Sequence, residues 1–138
     1  MESVEGGCLC GAIRYRAEGN AFGSVACHCR DCQRIAAGSA ANVLMMRKAD
    51  VSVTGQAQAW TKQGDSGRSI TRSFCGTCGT PLFIALEMLP DAVGLAVGSL
   101  DDPSAYKPGM EIWLDSAPPW HRPAPDVPQF KKGPGPAG

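Results

Sequence analysis

All seven cysteines of this chain fall into three tight clusters, and no other feature constrains the fold so strongly. Cys8 stands with Cys10, Cys27 with Cys29 and Cys32, and Cys75 with Cys78. Such spacing is that of metal ligands. Disulfides are the competing reading, but an odd count leaves one thiol over, and cysteines two residues apart are poorly placed to bond each other. Met1 to Gly7 is polar and glycine-rich, with no basic stretch leading into an apolar run. No secretory signal is read there, so the thiols are expected reduced and metal-bound in the cytoplasm.

A length of 138 residues, 43% of them hydrophobic, suits one domain with its own core. That domain is expected over residues 1–132, followed by a flexible tail at 133–138. Thirteen basic residues offset thirteen acidic ones, so no bulk positive field draws nucleic acid or an anionic membrane. No apolar run approaches the ~18 residues of a membrane span.

Glycines and prolines punctuate the chain at short intervals, and the runs between them have strand length. Ile13 and Tyr15 alternate with Arg14 and Arg16, as a half-buried strand requires. Further strands are expected at Ser24–Cys27, Asn42–Met46, Val51–Thr54, Ala57–Thr61, Ser69–Phe74, Pro81–Leu86, Ala92–Val97 and Met110–Leu114. Gly64-Asp65-Ser66-Gly67 reads as a hairpin turn. Helix is scarce: one short turn follows Asp31 and stops near Gly38, and Asp102-Pro103 has the form of an N-cap with proline at the first helical position. The fold class is therefore mainly β with one or two short helices. Beyond Ala117 the chain is proline-rich, with Trp120 and Phe130 as candidate anchors over a sheet. Trp60, Trp113 and Trp120 are read either as pocket lining or as core filling.

Cys75-Gly-Thr-Cys78-Gly79 is a zinc-knuckle sequence, because two residues between ligands let a tight turn aim both sulfurs at one point. Cys8 and Cys10, taken as two positions on an extended segment, project from one face and can complete a tetrahedral site. Four thiolates around one zinc leave no open position, which makes this set structural. Cys27-His28-Cys29-Arg30-Asp31-Cys32 differs. Three thiolates within six residues cap one face of a metal and leave the opposite face open, the arrangement of catalytic zinc sites. A fourth ligand, His121 or a distant carboxylate, would instead make it a second structural site. His28 points away from the face shared by Cys27 and Cys29 and is read as a supporting or packing residue. Arg30 and Arg34 flank the trio and are candidates to pair with an anionic substrate.

A zinc already neutralised by three thiolates acidifies water less than one held by neutral histidines, so hydrolysis is not the first expectation. Thiolate surroundings suit exchange of the labile position for another sulfur, and thiol addition to a carbonyl fits that chemistry.

Three stretches carry a resemblance over nearly the whole chain: Gly6-Gly7-Cys8-Leu9-Cys10-Gly11-Ala12-Ile13-Arg14-Tyr15, Cys27-His28-Cys29-Arg30-Asp31-Cys32, and Arg72-Ser73-Phe74-Cys75-Gly76-Thr77-Cys78-Gly79-Thr80. The sequence resembles the glutathione-dependent formaldehyde-activating enzymes, also called the centromere protein V family of zinc domains. The resemblance implies a zinc-stapled β-tent fold with two Zn²⁺ sites. Cys8, Cys10, Cys75 and Cys78 would hold the structural zinc, and Cys27, Cys29 and Cys32 the catalytic one. It further implies a carbon-sulfur lyase type of activity joining glutathione and formaldehyde into S-hydroxymethylglutathione, or acting on a related thiol and aldehyde. The alternative is a non-enzymatic module that binds zinc or senses thiols.

Overall fold

The computed structural model describes residues 3–64 and 66–134. The described residues form strands β1 (Ser3–Gly7), β2 (Arg14–Glu18), β3 (Gly23–Cys27), β4 (Ala41–Arg47), β5 (Val51–Thr54), β6 (Gln58–Gln63), β7 (Ser69–Phe74), β8 (Pro81–Leu86), β9 (Ala92–Ala96) and β10 (Met110–Ile112). One α-helix, α1 (Arg30–Ala36), and 3-10 turns at Lys48–Asp50, Val97–Ser99 and Leu114–Ser116 complete the described elements. The molecule is mainly β, as the spacing of its glycines and prolines indicates.

Two sheets organise it. The smaller has the order β1-β2-β5, and the larger β10-β3-β4-β9-β8-β7-β6. All pairs are antiparallel except β10, which runs parallel to β3. Strand β2 shows why: Tyr15 and Ala17 are buried while Arg14, Arg16 and Glu18 stay in solvent, the period of two that a one-sided sheet demands. Ile13, Tyr15 and Ala17 meet Leu44, Met46, Leu82 and Leu95 from the larger sheet in the main core. Leu82 and Leu95 are fully buried, and each such side chain stabilises the fold by about 1.5–3 kcal/mol. The Tyr15 ring meets Phe83 edge-on at 5.3 Å, and its hydroxyl reaches Ser99 Oγ at 2.6 Å.

Strand β4 is apolar on both sides, so the larger sheet also has cover on its second face. There Ala41, Val43 and Cys32 form a smaller cluster, with Val25, Cys27, Cys29, Met45 and Ile84 packed against it. The Cys27 trio and α1 thus occupy the face opposite the main core.

Several expectations differ from the structure. Ser3–Gly7 is a strand although its side chains show no apolar pattern. Backbone pairing with β2, from Ser3 opposite Glu18 to Gly7 opposite Arg14, defines it. Gly6 lies where an added Cβ would come within 2.4 Å of the Ser99 carbonyl, so the absent side chain lets β1 approach. Cys8–Gly11 is a tight turn rather than an extended segment: the Gly11 N–H bonds the Cys8 carbonyl at 3.1 Å, with Gly11 at φ 81°. Asp102-Pro103 starts no helix. The Asp102 carboxylate accepts the Ser104 N–H at 3.0 Å, a local turn that competes with helical bonding. The strand expected over Met110–Leu114 stops at Ile112, because Trp113 adopts φ 58° and the chain turns there. Strands β6 and β7 form the expected hairpin, closed by Gly64 N–H to the Arg68 carbonyl at 2.8 Å, while Asp65 lies outside the described residues. Of the tail expected at 133–138, residues 135–138 lie outside them too.

Candidate metal centres and the cavity beside them

Cys8 and Cys10 sit on the turn after β1, and Cys75 and Cys78 on the turn between β7 and β8. The structure brings all four together, their sulfurs within 4.8 Å of one another. Cys8 Sγ is 3.6 Å from Cys10 Sγ, and Cys10 Sγ is 3.7 Å from Cys75 Sγ. A tetrahedron of sulfurs at about 2.3 Å from zinc has edges of about 3.8 Å, so the donor set fits that ion. Backbone N–H groups point at the sulfurs: Ile13 at Cys8 (3.3 Å), and Thr77 and Cys78 at Cys75 (3.4 and 3.5 Å). Thr80 clips the two turns together, since its Oγ1 accepts the Leu9 N–H at 3.1 Å and lies 3.2 Å from Cys78 Sγ. The Thr80 hydroxyl and backbone hold the Cys78 thiol down to about 5. A sulfur surrounded by donors is disposed to be a thiolate, the form a metal requires.

The second set, Cys27, Cys29 and Cys32, also lies within 4.8 Å and is half-buried to buried. Cys27 ends β3, where it pairs with both Ala41 of β4 and Ile112 of β10. Cys29 caps α1: its sulfur accepts the Cys32 N–H at 3.4 Å and its carbonyl accepts the Gln33 N–H at 2.9 Å. Helix and ligand loop therefore share one geometry. The Cys27 and Cys32 thiols donate to Cys29 and lower it to about 2, while the same contact with Cys29 raises Cys27.

Arg72, on β7, is the functional candidate that sequence reasoning missed. It is 7% exposed, its Nη2 lies 3.9 Å from Cys32 Sγ, and among the described residues no carboxylate pairs with it. It had appeared only as one letter of the stretch leading into the knuckle. The available signal was a charged residue on the inward side of an otherwise neutral strand, Ile70-Arg72-Phe74.

A third cluster supports the trio from behind. His28, wholly buried, directs Nδ1 to the Ser39 carbonyl at 3.1 Å and Nε2 to Glu111 Oε1 at 2.7 Å. The carbonyl only accepts, so the Nδ1 side of the ring donates to it. His121 Nε2 reaches the same oxygen at 2.9 Å, and the Ala124 N–H bonds Oε2. Burial acts to raise the Glu111 pKa, but these donors outweigh it and hold it below the usual carboxylate range. Gln33 ties the assembly to α1, donating to the His28 and Ser116 carbonyls at 2.8 Å each.

A cavity of about 540 Å³ opens beside Arg72, lined from α1, β4, β7, β8, the end of β9 and the turn that follows it, and by none of the three cysteines. Ala41, Val43, Arg72 and Ile84 contribute both to its wall and to the surroundings of Cys32. Gly79 and Thr80 bring the four-cysteine turn to its other side.

The profile of the glutathione-dependent formaldehyde-activating enzymes matches residues 3–116, which include both cysteine sets, Arg72 and Glu111. The chain belongs to that family. Among solved structures it is similar to a crystal structure of a Rhodobacter sphaeroides protein, a structural-genomics target, at 24% identity and a TM-score of 0.56. That match covers 75% of this chain and 91% of the other, and it shows a shared fold. Comparison with curated proteins gives no match. Membership of the formaldehyde-activating family points in general to glutathione-dependent formaldehyde activation. No helix among the described residues is long and apolar enough to cross a membrane.

Within this formaldehyde-activating family chain, the residues read from the sequence take definite places. His121, a candidate fourth ligand of the trio, is drawn instead to Glu111. His28 faces away from the thiols, as its position between Cys27 and Cys29 requires. Arg30 donates to Gln33 Oε1, and Arg34 is exposed in the last turn of α1. Neither lines the cavity. Trp60 and Trp120 are 56% and 67% exposed, so neither fills core and Trp120 anchors no sheet. Phe130 is half-buried and its backbone bonds Glu111 and Leu114, holding the C-terminal segment against β10.

Proposed function

We propose that the Cys27, Cys29 and Cys32 set is an open zinc centre at which a thiol and an aldehyde are joined or released. The pair is glutathione with formaldehyde, giving S-hydroxymethylglutathione, or a related pair. Cys8, Cys10, Cys75 and Cys78 would hold a second, structural zinc. The observation that carries this reading is the contrast between a set of four thiols and a set of three that has no fourth donor among the described residues and shares its neighbour Arg72 with a cavity. Zinc bound by the trio supplies a soft Lewis-acidic position that favours a deprotonated substrate thiol.

The chain's own residues do the rest. Arg72 places a positive charge beside the thiolates and lowers the electrostatic cost of admitting another anionic sulfur. Glu111 and Gln33 fix His28, and through it the spacing of Cys27 and Cys29. Arg30 and Arg34, on α1, are outer contacts for a substrate carboxylate that extends beyond the cavity. In the addition, the C–S bond forms as the carbonyl π bond opens, and the proton lost by the thiol returns from solvent to the new hydroxyl. We assign the protein to the cytoplasm because its seven cysteines form no disulfide and gather instead into metal-ligand sets, the usage of a reducing compartment.

Hemithioacetal exchange followed by NMR tests this reading, because thiols also add to formaldehyde unaided. The zinc-loaded protein should exceed the buffer rate at least tenfold, and Cys29→Ser should lose that excess. Equal rates for protein, variant and buffer would overturn it.

A further inference from the structure

Trp60 stands in the edge strand β6 with 56% of its surface exposed, forgoing the burial that stabilises most aromatic side chains. The register of the hairpin fixes which way it faces. Trp60 pairs with Arg72 of β7, and residues directly opposite in an antiparallel pair share a face, with Cβ atoms about 4.5–5.5 Å apart. Arg72 in turn pairs with Ile84 of β8, which packs against the Cys32 cluster. Trp60, Arg72 and Ile84 therefore form one row on the second face of the larger sheet, the face that carries the trio. Two neighbours agree with this alternation. Lys62, two residues along β6, reaches the Asp31 carboxylate of α1 at 2.9 and 3.0 Å, so this face of the edge strand looks at the ligand loop. Thr61, between them, bonds its opposite number Thr71 at 2.7 Å on the other face.

Arg72 Nη2 lies 3.9 Å from Cys32 Sγ, so the indole stands one strand beyond the residue that touches the trio. One strand spacing is about 4.8 Å, and the peptide groups flanking a cysteine lie on the order of 5 Å from its sulfur. A cysteinyl peptide whose sulfur joins the trio from the edge of the sheet thus lays its peptide groups over Trp60. Ile84, on the other side of Arg72, lines the cavity, whereas Trp60 lies outside that lining and bounds the approach from the sheet edge. An indole face suits a flat peptide plane. Arg72 and Lys62 flank it on the same face with Asp31 as the one carboxylate bonded to either, which leaves an excess of positive charge for the carboxylates of glutathione.

We propose that Trp60 is a specificity-determining residue for the thiol: its indole stacks on the peptide groups of glutathione when the glutathione sulfur occupies the trio, and so favours a peptide thiol over a small one. The place of the sulfur rests on the reading under Proposed function, and the contact rests on the register of β6 and β7.

Exchange kinetics of the zinc-loaded protein with formaldehyde and either glutathione or 2-mercaptoethanol, which has no peptide group, test it. Stacking on one indole is worth about tenfold in affinity. Trp60→Ala should therefore raise KM for glutathione about tenfold, with the loss in KM rather than kcat, and should lower the preference for glutathione over 2-mercaptoethanol by about the same factor. Trp60→Phe keeps a ring and should hold KM within threefold of the native value. Because the side chain is exposed, zinc content and melting temperature should stay native in both variants. Isothermal titration with glutathione alone runs beside the kinetics and should show about tenfold weaker binding to Trp60→Ala.

A KM for glutathione within twofold of native in Trp60→Ala, or equal losses for the two thiols, would overturn the proposal. The two readings fail separately. If exchange depends on Cys29 and Trp60→Ala matches the native protein, the contact is wrong and the function stands. If no thiol exceeds the buffer rate, the function is wrong and the titration decides the contact: tenfold weaker binding to Trp60→Ala upholds it, and equal binding to the two proteins, or none, overturns it.

Discussion

Glu111→Gln tests whether the buried histidine and carboxylate cluster holds the Cys27 trio in place. Glu111 is 2% exposed and accepts from His28 at 2.7 Å, from His121 at 2.9 Å and from the Ala124 N–H. Glutamine keeps the shape but removes the charge, and with its oxygen turned toward the two histidines its NH₂ group confronts the Ala124 N–H, donor against donor. One bond is lost and two lose their charge assistance. Breaking a buried pair at one partner costs about 3–5 kcal/mol, and each charged hydrogen bond about 1.5–3 kcal/mol, so a loss of about 4 kcal/mol is expected. At roughly 3–5 °C per kcal/mol for a domain of this size, the melting temperature should fall by about 12–20 °C. The assay is thermal unfolding of the zinc-loaded protein, with release of zinc to a chromogenic chelator followed in parallel. Because His28 lies between Cys27 and Cys29, the proposed ligands, the variant should also release zinc from the trio at least tenfold faster at a temperature where it remains folded. His121→Gln, which removes only the 2.9 Å contact, should cost about 1–2 kcal/mol and leave that release rate within threefold. A Glu111→Gln variant within 1 kcal/mol of the native protein, with the native release rate, would refute the reasoning.

Further perturbations reach other parts of the fold. Cys78→Ser removes one of four thiols that join segments 65 residues apart between Cys10 and Cys75, and zinc at such a site is worth about 10–16 kcal/mol. It should give unfolded or aggregated protein, whereas a soluble variant with two zincs and an unchanged melting curve would contradict the assignment. Gly6→Ala drives a Cβ to 2.4 Å from the Ser99 carbonyl, a backbone atom that no rotamer change can move, and should cost about 2–3 kcal/mol by chemical denaturation. Tyr15→Phe leaves the ring against Phe83 but removes the hydroxyl partner of Ser99 Oγ, which keeps its bond to the Ala96 carbonyl at 2.7 Å, and should cost about 1 kcal/mol in the same assay. A mild chelator should strip one zinc per chain quickly, from the open trio, and the second slowly with unfolding; release of both in one phase would argue against two different centres.

What the sequence made legible was what depends on local chemistry. Cysteine spacing marked the knuckle and the trio as different objects, since a knuckle turn needs only its own few residues, whereas the joining of Cys8 and Cys10 to the knuckle appears only when segments 65 residues apart meet. Alternation found β2 and a short apolar run found β4, because their side chains carry those patterns. Strand β1 escaped because its definition lies in backbone pairing with β2, which side chains do not record. Glu111 and Arg72 escaped for a related reason. Each is a charged residue in a short strand, and its meaning appears only when residues 83 and 40 positions away arrive beside it. The apparent N-cap at Asp102 misled because an aspartate that caps a helix and one that closes a local turn use the same bond.

The two cysteine sets also differ in how their charge is accommodated, and this explains why Arg72 belongs to one of them. Four thiolates with one zinc carry a net charge of minus two, three carry minus one. The more highly charged set has Cys10 exposed to water and takes backbone N–H groups from Ile13, Thr77 and Cys78 on its two buried sulfurs, which accommodate its charge. The trio lies on the second face of the larger sheet, among Ala41, Val43 and Ile84, where screening is weak. Its residual charge requires a fixed counter-charge, and the Arg72 guanidinium at 3.9 Å from Cys32 provides it. Neutralised in this way, the trio can accept one further anionic sulfur at no greater net charge than it had alone. On this account Arg72→Gln should weaken binding of a thiolate more than binding of a neutral ligand such as imidazole, and equal losses for the two would show that the arginine acts through packing instead.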